Sequence, residues 1–166
     1  MDDITIDNDV RAGELGCIAE QHGRLYRAEY GLDHRFEAYV AKGVGEAALV
    51  EGELAPRFWI VRERERFVGS VAMCHPERGL AQFRWFLLEP HLRGRGLGDD
   101  LMRRTLDYAR AAHCRAVHLW TIDALAAAAT LYRRHGFVET ARQPGTPWGP
   151  PVVEVRYELT LVGRAS

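Results

Sequence analysis

The hydrophobic period changes within residues 80–113, and this change constrains the fold more than any other feature of the chain. Residues 80–88 form an apolar run typical of a buried strand. After Pro90 and three closely spaced glycines, apolar residues recur at helical steps over about residues 97–113. A strand that passes through a tight glycine turn into an amphipathic helix indicates a domain in which helices pack on a sheet.

The flanking segments extend this pattern over the whole chain. Ile4 and Ile6 predict a short first strand, and the alternation over residues 153–161 predicts the last one. The predicted order is a strand, two helices, three strands, a helix, a strand, a helix and two strands, which is a mixed sheet in an α/β or α+β domain. The other predicted ranges are helices at about 11–30, 34–51 and 124–135 and strands at 58–62, 67–74, 117–122 and 137–140, with a loop at 143–151. In the strand at 80–88, the residues expected to share one face are Ala81, Phe83, Trp85 and Leu87, opposite Phe86 and Leu88.

Composition limits the class of protein. The 166 residues carry 22 Lys and Arg against 23 Asp and Glu, which predicts one domain over residues 1–166 and argues against a nucleic-acid partner, since general nucleic-acid binders carry a basic surplus. No apolar run reaches the roughly 18 residues of a membrane helix, and the acidic N-terminus is unlike a signal peptide, so a cytoplasmic protein without a membrane partner is expected. The widely spaced Cys17, Cys74 and Cys114 form neither a disulfide framework nor a zinc pattern, so no metal is predicted.

The glycine turn predicts an anion site. The first N–H groups of the following helix lack partners within the helix, and the helix dipole favours negative charge there. A phosphate or pyrophosphate suits such a site, and Arg93 and Arg95 add positive charge. Lys42 is the only lysine and lies elsewhere, which argues against a P-loop, and Asp99 interrupts a dinucleotide-binding GxGxxG pattern.

Two motifs carry a resemblance to a known family. Residues 93–98 read Arg-x-x-Gly-x-Gly after a strand and Pro90, which resembles the pyrophosphate-binding motif of the GNAT superfamily of N-acetyltransferases. Residues 128–137 resemble the superfamily signature A-x-x-L-Y-x-x-x-G-F. With the order of elements, the resemblance covers residues 3–161. Leu119-Trp120-Thr121, LYRRHGF and HGRLYRAEYGLDHRFE further resemble the acetyltransferase half of bacterial MarR-type regulator fusions, here with no DNA-binding helix-turn-helix before them.

The resemblance implies a fold, a reaction and a set of roles. The fold is a mostly antiparallel sheet of about seven strands with four helices and a splay between the fourth and fifth strands. The reaction is direct transfer of an acetyl group from acetyl-CoA, the co-substrate, to a primary amine. Tyr132 matches the general acid, and Arg134 is either a ligand of the adenosine phosphate or a solvated helix charge. The remaining residues expected to hold the coenzyme are Leu87, Leu88, Arg93, Gly94, Arg95, Gly96, Leu97, Gly98 and Asp99.

The sequence departs from the family at two positions. Leu125 stands seven residues before the tyrosine, where many members carry an asparagine that binds the coenzyme arm. Trp120 stands where some members use a glutamate as general base. A base must therefore come from elsewhere or through water, or it is not needed. The candidates are His22, Glu29, Asp33, His118 and Glu154.

The acceptor is expected to be a small molecule that carries a primary amine, recognised by the first two helices and the loop at 143–151. Arg84 stands in the middle of a strand, where a charge must be paired or face a cleft, so an acceptor with a carboxylate, such as an amino acid, is favoured. On the acceptor side, the predicted residues are His22, Glu29, Arg84 and His118. A non-catalytic acyl-CoA sensor on the same fold remains an alternative, and a homodimer formed by pairing of the terminal strands also stays open.

Overall fold

A computed structural model describes residues 3–161 and confirms the predicted order of elements. Four helices and seven strands alternate as the hydrophobic periods indicate, and the predicted ends differ by a few residues. The largest difference is in the sixth strand, which continues into the segment predicted to be a loop. The elements are β1 (Ile4–Asp7), α1 (Glu14–Tyr30), α2 (His34–Ala48), β2 (Arg57–Glu63), β3 (Arg66–Cys74), β4 (Leu80–Leu88), α3 (Leu97–Ala111), β5 (Ala116–Ile122), α4 (Ala126–Arg134), β6 (Val138–Gly145) and β7 (Val152–Thr160).

The strands form one mixed sheet in the order β1-β2-β3-β4-β5-β7-β6. All neighbouring pairs are antiparallel except β4 and β5, which are parallel because α3 crosses over between them. The last strand, β7, lies inside the sheet between β5 and β6, so the two edges are β1 and β6. Of the two terminal strands considered for pairing between chains, only β1 therefore lies at an edge of the sheet.

Apolar layers cover both faces of the sheet. On one face, Leu101, Leu106 and Leu131 from α3 and α4 pack on the strands. On the other face, Ile18 from α1 and Val40 from α2 pack on the strands in a second layer. The sheet is thus buried on both sides at its centre, which explains why β4 is apolar nearly throughout.

A bulge at Trp85 changes the expected facing of residues along β4. Ser70 of β3 pairs with Leu87, but Ala72 pairs with Arg84, so two residues of β4 stand opposite Val71 alone. Trp85 adopts a φ of +50°, a backbone conformation that residues other than glycine rarely adopt. Its carbonyl accepts a hydrogen bond of 2.9 Å from the Ser70 hydroxyl. The prediction that Ala81, Phe83, Trp85 and Leu87 share one face is wrong for Trp85, which packs in the layer of α1 and α2 while Ala81 and Phe83 pack in the other. Phe86 and Leu88, predicted on the opposite face, pack in the same layer as Ala81 and Phe83, because the bulge shifts the alternation by one residue.

Strands β4 and β5 separate beyond their first residues. Ladder pairing between them runs only from Leu80 opposite Ala116 to Gln82 opposite His118. From residue 83 onward, β4 keeps its pairing to β3 but has no partner on the β5 side among the described residues. The expected splay between the fourth and fifth strands is therefore present, and it begins just before the bulge.

Three further observations bear on the class of protein. Within residues 3–161, no helix has both the length and the apolar character required to cross a lipid bilayer. The same residues contain no cluster of three or more side chains suited to hold a metal ion. Cys17, Cys74 and Cys114 are all free thiols.

Candidate functional site

Two cavities lie along the separated strands β4 and β5. One, here the glycine-turn cavity, measures about 430 Å³ and is lined by residues that include Leu87, Leu88, Arg93, Gly94, Gly98 and Leu125. The other, here the aromatic cavity, measures about 100 Å³ and is lined by residues that include Tyr26, Phe36, Tyr39, Trp85, Trp120 and Trp148. Tyr26, Phe86 and Tyr132 line both cavities, so the two spaces adjoin at these rings.

Backbone geometry shapes the glycine-turn cavity. Gly94 and Gly96 have φ angles of +70° and +84°, values that glycine adopts without strain. Gly96 is the N-cap of α3, and no side chain caps this helix end. The first N–H groups of α3 are therefore available to an anion, and the positive end of a 15-residue helix dipole adds to that preference.

Arg93 holds one wall of this cavity through contacts inside the protein. Its Nε donates a hydrogen bond of 3.2 Å to the carbonyl of Leu88, and its guanidinium pairs with both carboxylate oxygens of Glu29. Glu29 therefore lines the glycine-turn cavity, beside Arg93, and not the aromatic cavity where His22 lies. Helical spacing alone could not predict this contact with a residue 64 positions away, and the predicted role of Glu29 on the acceptor side stays a prediction.

Asp99, Arg134 and His135 tie the start of α3 to the end of α4. The Asp99 carboxylate accepts bonds from Arg134 Nη2 at 2.5 Å and from His135 Nε2 at 2.8 Å. The hydrogen bond from His135 is the main cause of the lowered pKa of Asp99, with the charges of both partners adding to it. Asp99, Arg95, Gly96, Leu97 and Arg134 do not line either cavity, and their predicted roles toward a coenzyme stay predictions.

Tyr132 stands at the junction of the cavities. Its ring is buried among Phe83, Phe137 and Tyr157, with centroid distances of 5.7 to 6.1 Å. Burial raises the pKa of its hydroxyl, and the neighbouring Tyr26 and Tyr157 add to the shift. The hydroxyl therefore keeps its proton at physiological pH and has one to donate, but the raised pKa also makes it a weaker acid, so donation requires an acceptor on which negative charge develops.

Aromatic rings dominate the aromatic cavity. Phe36 of α2 stacks on Tyr26 of α1 at 4.4 Å and meets Trp148, from the loop between β6 and β7, edge-on at 5.0 Å. Tyr39 and Trp120 are 48% and 40% exposed, which places them at the rim. A compact, flat or apolar group would bury well against these rings.

His22 lines the aromatic cavity as a neutral ring. Its Nδ1 lies 2.8 Å from the carbonyl of Ile18, which only accepts, so Nδ1 carries the hydrogen and Nε2 the lone pair. The ring stacks beside Tyr26, and burial lowers its pKa to about 4. A ring that binds a proton so weakly is a poor general base toward an ammonium group.

Two charged side chains also line this cavity. The guanidinium of Arg84 lies over the Trp85 ring at 4.3 Å, and Gly43 of α2 leaves room for it. Glu154 of β7 is half-buried, and burial raises its pKa. His118, by contrast, lines neither cavity and lies where β4 and β5 are still paired, so its predicted role on the acceptor side stays a prediction.

Other residues of the site escaped the sequence analysis. Trp148 lies in the loop expected to recognise the acceptor, but the sequence analysis did not single it out. A tryptophan in a loop is the sequence signal that could have predicted its contact with Phe36 and Tyr39 of α2. Ala124, Ala126 and Ala127 line the glycine-turn cavity through small side chains that carry no recognisable chemistry in the sequence. Asp33, a candidate base, instead caps α2 by accepting the Arg35 backbone N–H, and the adjacent guanidinium lowers its pKa to about 2.

A family model and a curated relative each match a large part of the chain. The family model described as an acetyltransferase (GNAT) domain matches residues 55–139, which include β4, the glycine turn, α3 and Tyr132. A curated relative named IAA acetyltransferase, from Azospirillum brasilense, is 33% identical over 106 residues, which are 63% of this chain and 68% of the relative.

Solved structures share the same fold. An acetyltransferase from Streptococcus agalactiae superposes with a TM-score of 0.79 at 21% identity, over 97% of this chain and all of the other. The yncA protein of Salmonella typhimurium, solved with acetyl-CoA as its cofactor, gives a TM-score of 0.74 at 20% identity, over 99% of this chain and 98% of the other. At these identities the likeness concerns the fold.

Proposed function

The chain belongs to the GNAT acetyltransferase family, and from this premise we propose that it transfers an acetyl group from acetyl-CoA to the primary amine of a small molecule. The observation that carries the proposal is the junction of two cavities at Tyr132, one with an uncapped helix start and one with charged and aromatic side chains. A cytoplasmic enzyme that acts on a free metabolite, without nucleic acid, is part of the same proposal.

The glycine-turn cavity fits acetyl-CoA. Its volume of about 430 Å³ admits an extended arm, and the alanines at positions 124 and 126–128 leave the path along the separated strands open. The uncapped N–H groups at the start of α3 would hold the pyrophosphate, with Gly94 and Gly96 letting it approach the backbone. Leu125 lines this path at the position where many family members carry an asparagine. Because leucine offers no hydrogen bond, the coenzyme arm would depend more on backbone contacts.

The chain's own groups support direct transfer. Acetyl-CoA supplies a thioester whose carbonyl carbon the amine nitrogen attacks, forming the amide as the carbon–sulfur bond breaks. A backbone N–H near Leu87 or Leu88 would stabilise the negative charge that develops on the carbonyl oxygen. Tyr132 would give its hydroxyl proton to the departing sulfur, because its hydroxyl stays protonated and its ring lines both cavities. The attacking nitrogen gives up a proton as the amide forms, and that proton, passed through solvent, would restore the Tyr132 hydroxyl.

Release of CoA thiol tests this proposal directly. The full chain, acetyl-CoA and a panel of amino acids, polyamines, aminoglycosides and peptides should give at least one amine that releases thiol and yields an N-acetyl product by mass spectrometry. Saturable binding of CoA without turnover on any amine would contradict catalysis and favour the acyl-CoA sensor.

A further inference from the structure

The aromatic cavity is lined by two charged side chains, Arg84 and Glu154, that have no ionic partner among residues 3–161. Nearly all half-buried or buried charges elsewhere in residues 3–161 are paired. Arg62, for example, is fully buried and donates to Glu14 at 2.7 and 2.8 Å and to Asp7 at 2.7 Å. Pairing of this kind is what burial of a charge ordinarily demands.

Glu154 is the exception among the carboxylates. The other aspartates and glutamates of the described range that are not exposed each accept from an arginine or, for Glu63, from a histidine; they are Asp7, Glu14, Asp33, Glu63, Glu89, Asp99, Asp100 and Glu158. Glu154 has no such donor within residues 3–161, and it is the only acid that lines the aromatic cavity.

Arg84 is the exception among the arginines. Three arginines within the described residues are not exposed, namely Arg62, Arg84 and Arg156. The first and third pair with carboxylates, whereas Arg84 contacts the face of Trp85 and no carboxylate within 4 Å. Arg84 and Glu154 line the same cavity without pairing to each other, so a gap separates two opposite charges.

From this arrangement, and resting on the proposed acetyl transfer, we infer that the acceptor is an α-amino acid bound as a zwitterion, with its carboxylate on Arg84, its ammonium on Glu154 and an apolar or aromatic side chain against the rings. An acceptor of this kind carries one charge for each of the two unpaired side chains. Polyamines are disfavoured, because Arg84 repels a second cation in the cavity that it lines.

Glu154 has a second role under this inference. The ammonium must lose one proton before its nitrogen lone pair can attack a carbonyl. That proton passes to a carboxylate oxygen of Glu154 and then to solvent, which restores the carboxylate for the next turnover. His22 is the less suitable acceptor, because its pKa lies far below its usual value.

A panel of matched amines tests the inference. Phenylalanine, leucine and methionine should be acetylated with a kcat/KM roughly 10- to 100-fold above phenylalanine amide, phenethylamine and spermidine, the range expected when a charged hydrogen bond is left unmade. Equal or better turnover of phenethylamine or spermidine would overturn the zwitterion site and leave acetyl transfer standing.

Two variants with matched controls divide the roles. Arg84→Gln should raise KM for the amino acid about tenfold with little change in kcat, whereas Glu154→Gln should raise KM and also lower kcat. The controls are Arg57→Gln, whose guanidinium lies on Tyr108 away from both cavities, and Glu158→Gln, on the same strand but paired with Arg156. If the kinetics of Arg84→Gln matched those of Arg57→Gln, the carboxylate contact of Arg84 would be contradicted. If the kinetics of Glu154→Gln matched those of Glu158→Gln, the ammonium contact of Glu154 would be contradicted.

Binding keeps the inference testable if no amine is turned over. Trp85, Trp120 and Trp148 line the cavity, so an amino acid that enters it should change tryptophan fluorescence in a saturable way. A saturable change with phenylalanine that Arg84→Gln and Glu154→Gln weaken would support the zwitterion site while the proposed transfer fails. No change with any of the three amino acids would overturn it.

Discussion

The two cavities are built from different parts of the chain. The glycine-turn cavity depends on backbone: two glycines with positive φ, an uncapped helix start and a run of small residues. The aromatic cavity depends on side chains brought from α1, α2, β7 and the loop before it, with two unpaired charges among them. The turn and the helix start are therefore encoded locally, although α1 and α4 supply other walls of the same cavity, whereas the aromatic cavity is formed almost entirely by contacts between distant segments.

Tyr132→Phe should have the largest effect on activity, because its hydroxyl is the proposed proton donor at the junction of the two cavities. Loss of the proton donor should lower kcat about 100-fold, with the affinity for CoA nearly unchanged because the ring itself remains. Steady-state kinetics and CoA titration measure the two quantities. Tyr157→Phe is the control, since this buried tyrosine packs on Tyr132 but its hydroxyl accepts from Arg133 outside both cavities. Equal kcat in wild type and Tyr132→Phe across the pH range would show that another group protonates the thiolate.

His22 should make the aromatic cavity sensitive to acid. Its pKa is lowered from 6.5 to about 4, so between these pH values the ring is protonated in the unfolded chain and neutral in the folded chain. Stability is therefore complete above pH 6.5 and falls as the pH decreases, by about 2 kcal/mol at pH 5 relative to pH 7. Urea denaturation at the two pH values measures the difference.

His22→Phe should remove most of that loss, because phenylalanine keeps the packing on Tyr26 and Phe36 and does not titrate. The exposed His34→Gln should keep the loss of the wild type. If the His22→Phe variant lost as much free energy of unfolding between pH 7 and pH 5 as the wild type, the pKa of His22 would not be the cause of the loss.

Gly96→Ala tests the backbone character of the glycine-turn cavity. Its φ of +84° costs an alanine about 1–2 kcal/mol, and the turn should relax so that the Kd for CoA rises about tenfold. Gly52→Ala is a matched control, since Gly52 has a φ of +75°, equally open surroundings and no part in either cavity. Similar CoA affinity in both variants would mean that the conformation at Gly96 does not hold the ligand.

Arg134→Gln should have the smallest effect. The guanidinium is exposed and already paired with Asp99, so its loss should raise KM for acetyl-CoA only about twofold. An analogue that lacks the phosphate on the adenosine part separates the two roles left open by the sequence. If Arg134 binds that phosphate, the effect of the variant disappears with the analogue; an equal effect with both coenzymes assigns Arg134 to the Asp99 contact alone.

Much of the fold was predictable because its signals are local. The change of period at Pro90 located β4 and α3, and Gly31 ends α1 with the left-handed φ expected of a glycine at that position. The bulge at Trp85 was not predictable, because it arises from pairing with β3 and reverses the facing that strict alternation implies. Trp148 joined the site for a similar reason, through contacts with α2 that lie more than 100 positions away in the chain.

The sequence by itself determined the order of elements, the anion-favouring turn and the helix that carries Tyr132, since each depends on residues close together in the chain. Only the tertiary structure decided which charges are paired. Glu29 pairs with Arg93 beside the glycine-turn cavity, while Glu154 and Arg84 line the aromatic cavity without an ionic partner among residues 3–161. The physical reason is that the free energy of a half-buried charge depends on partners that folding brings from distant segments, and spacing along the chain carries no record of them.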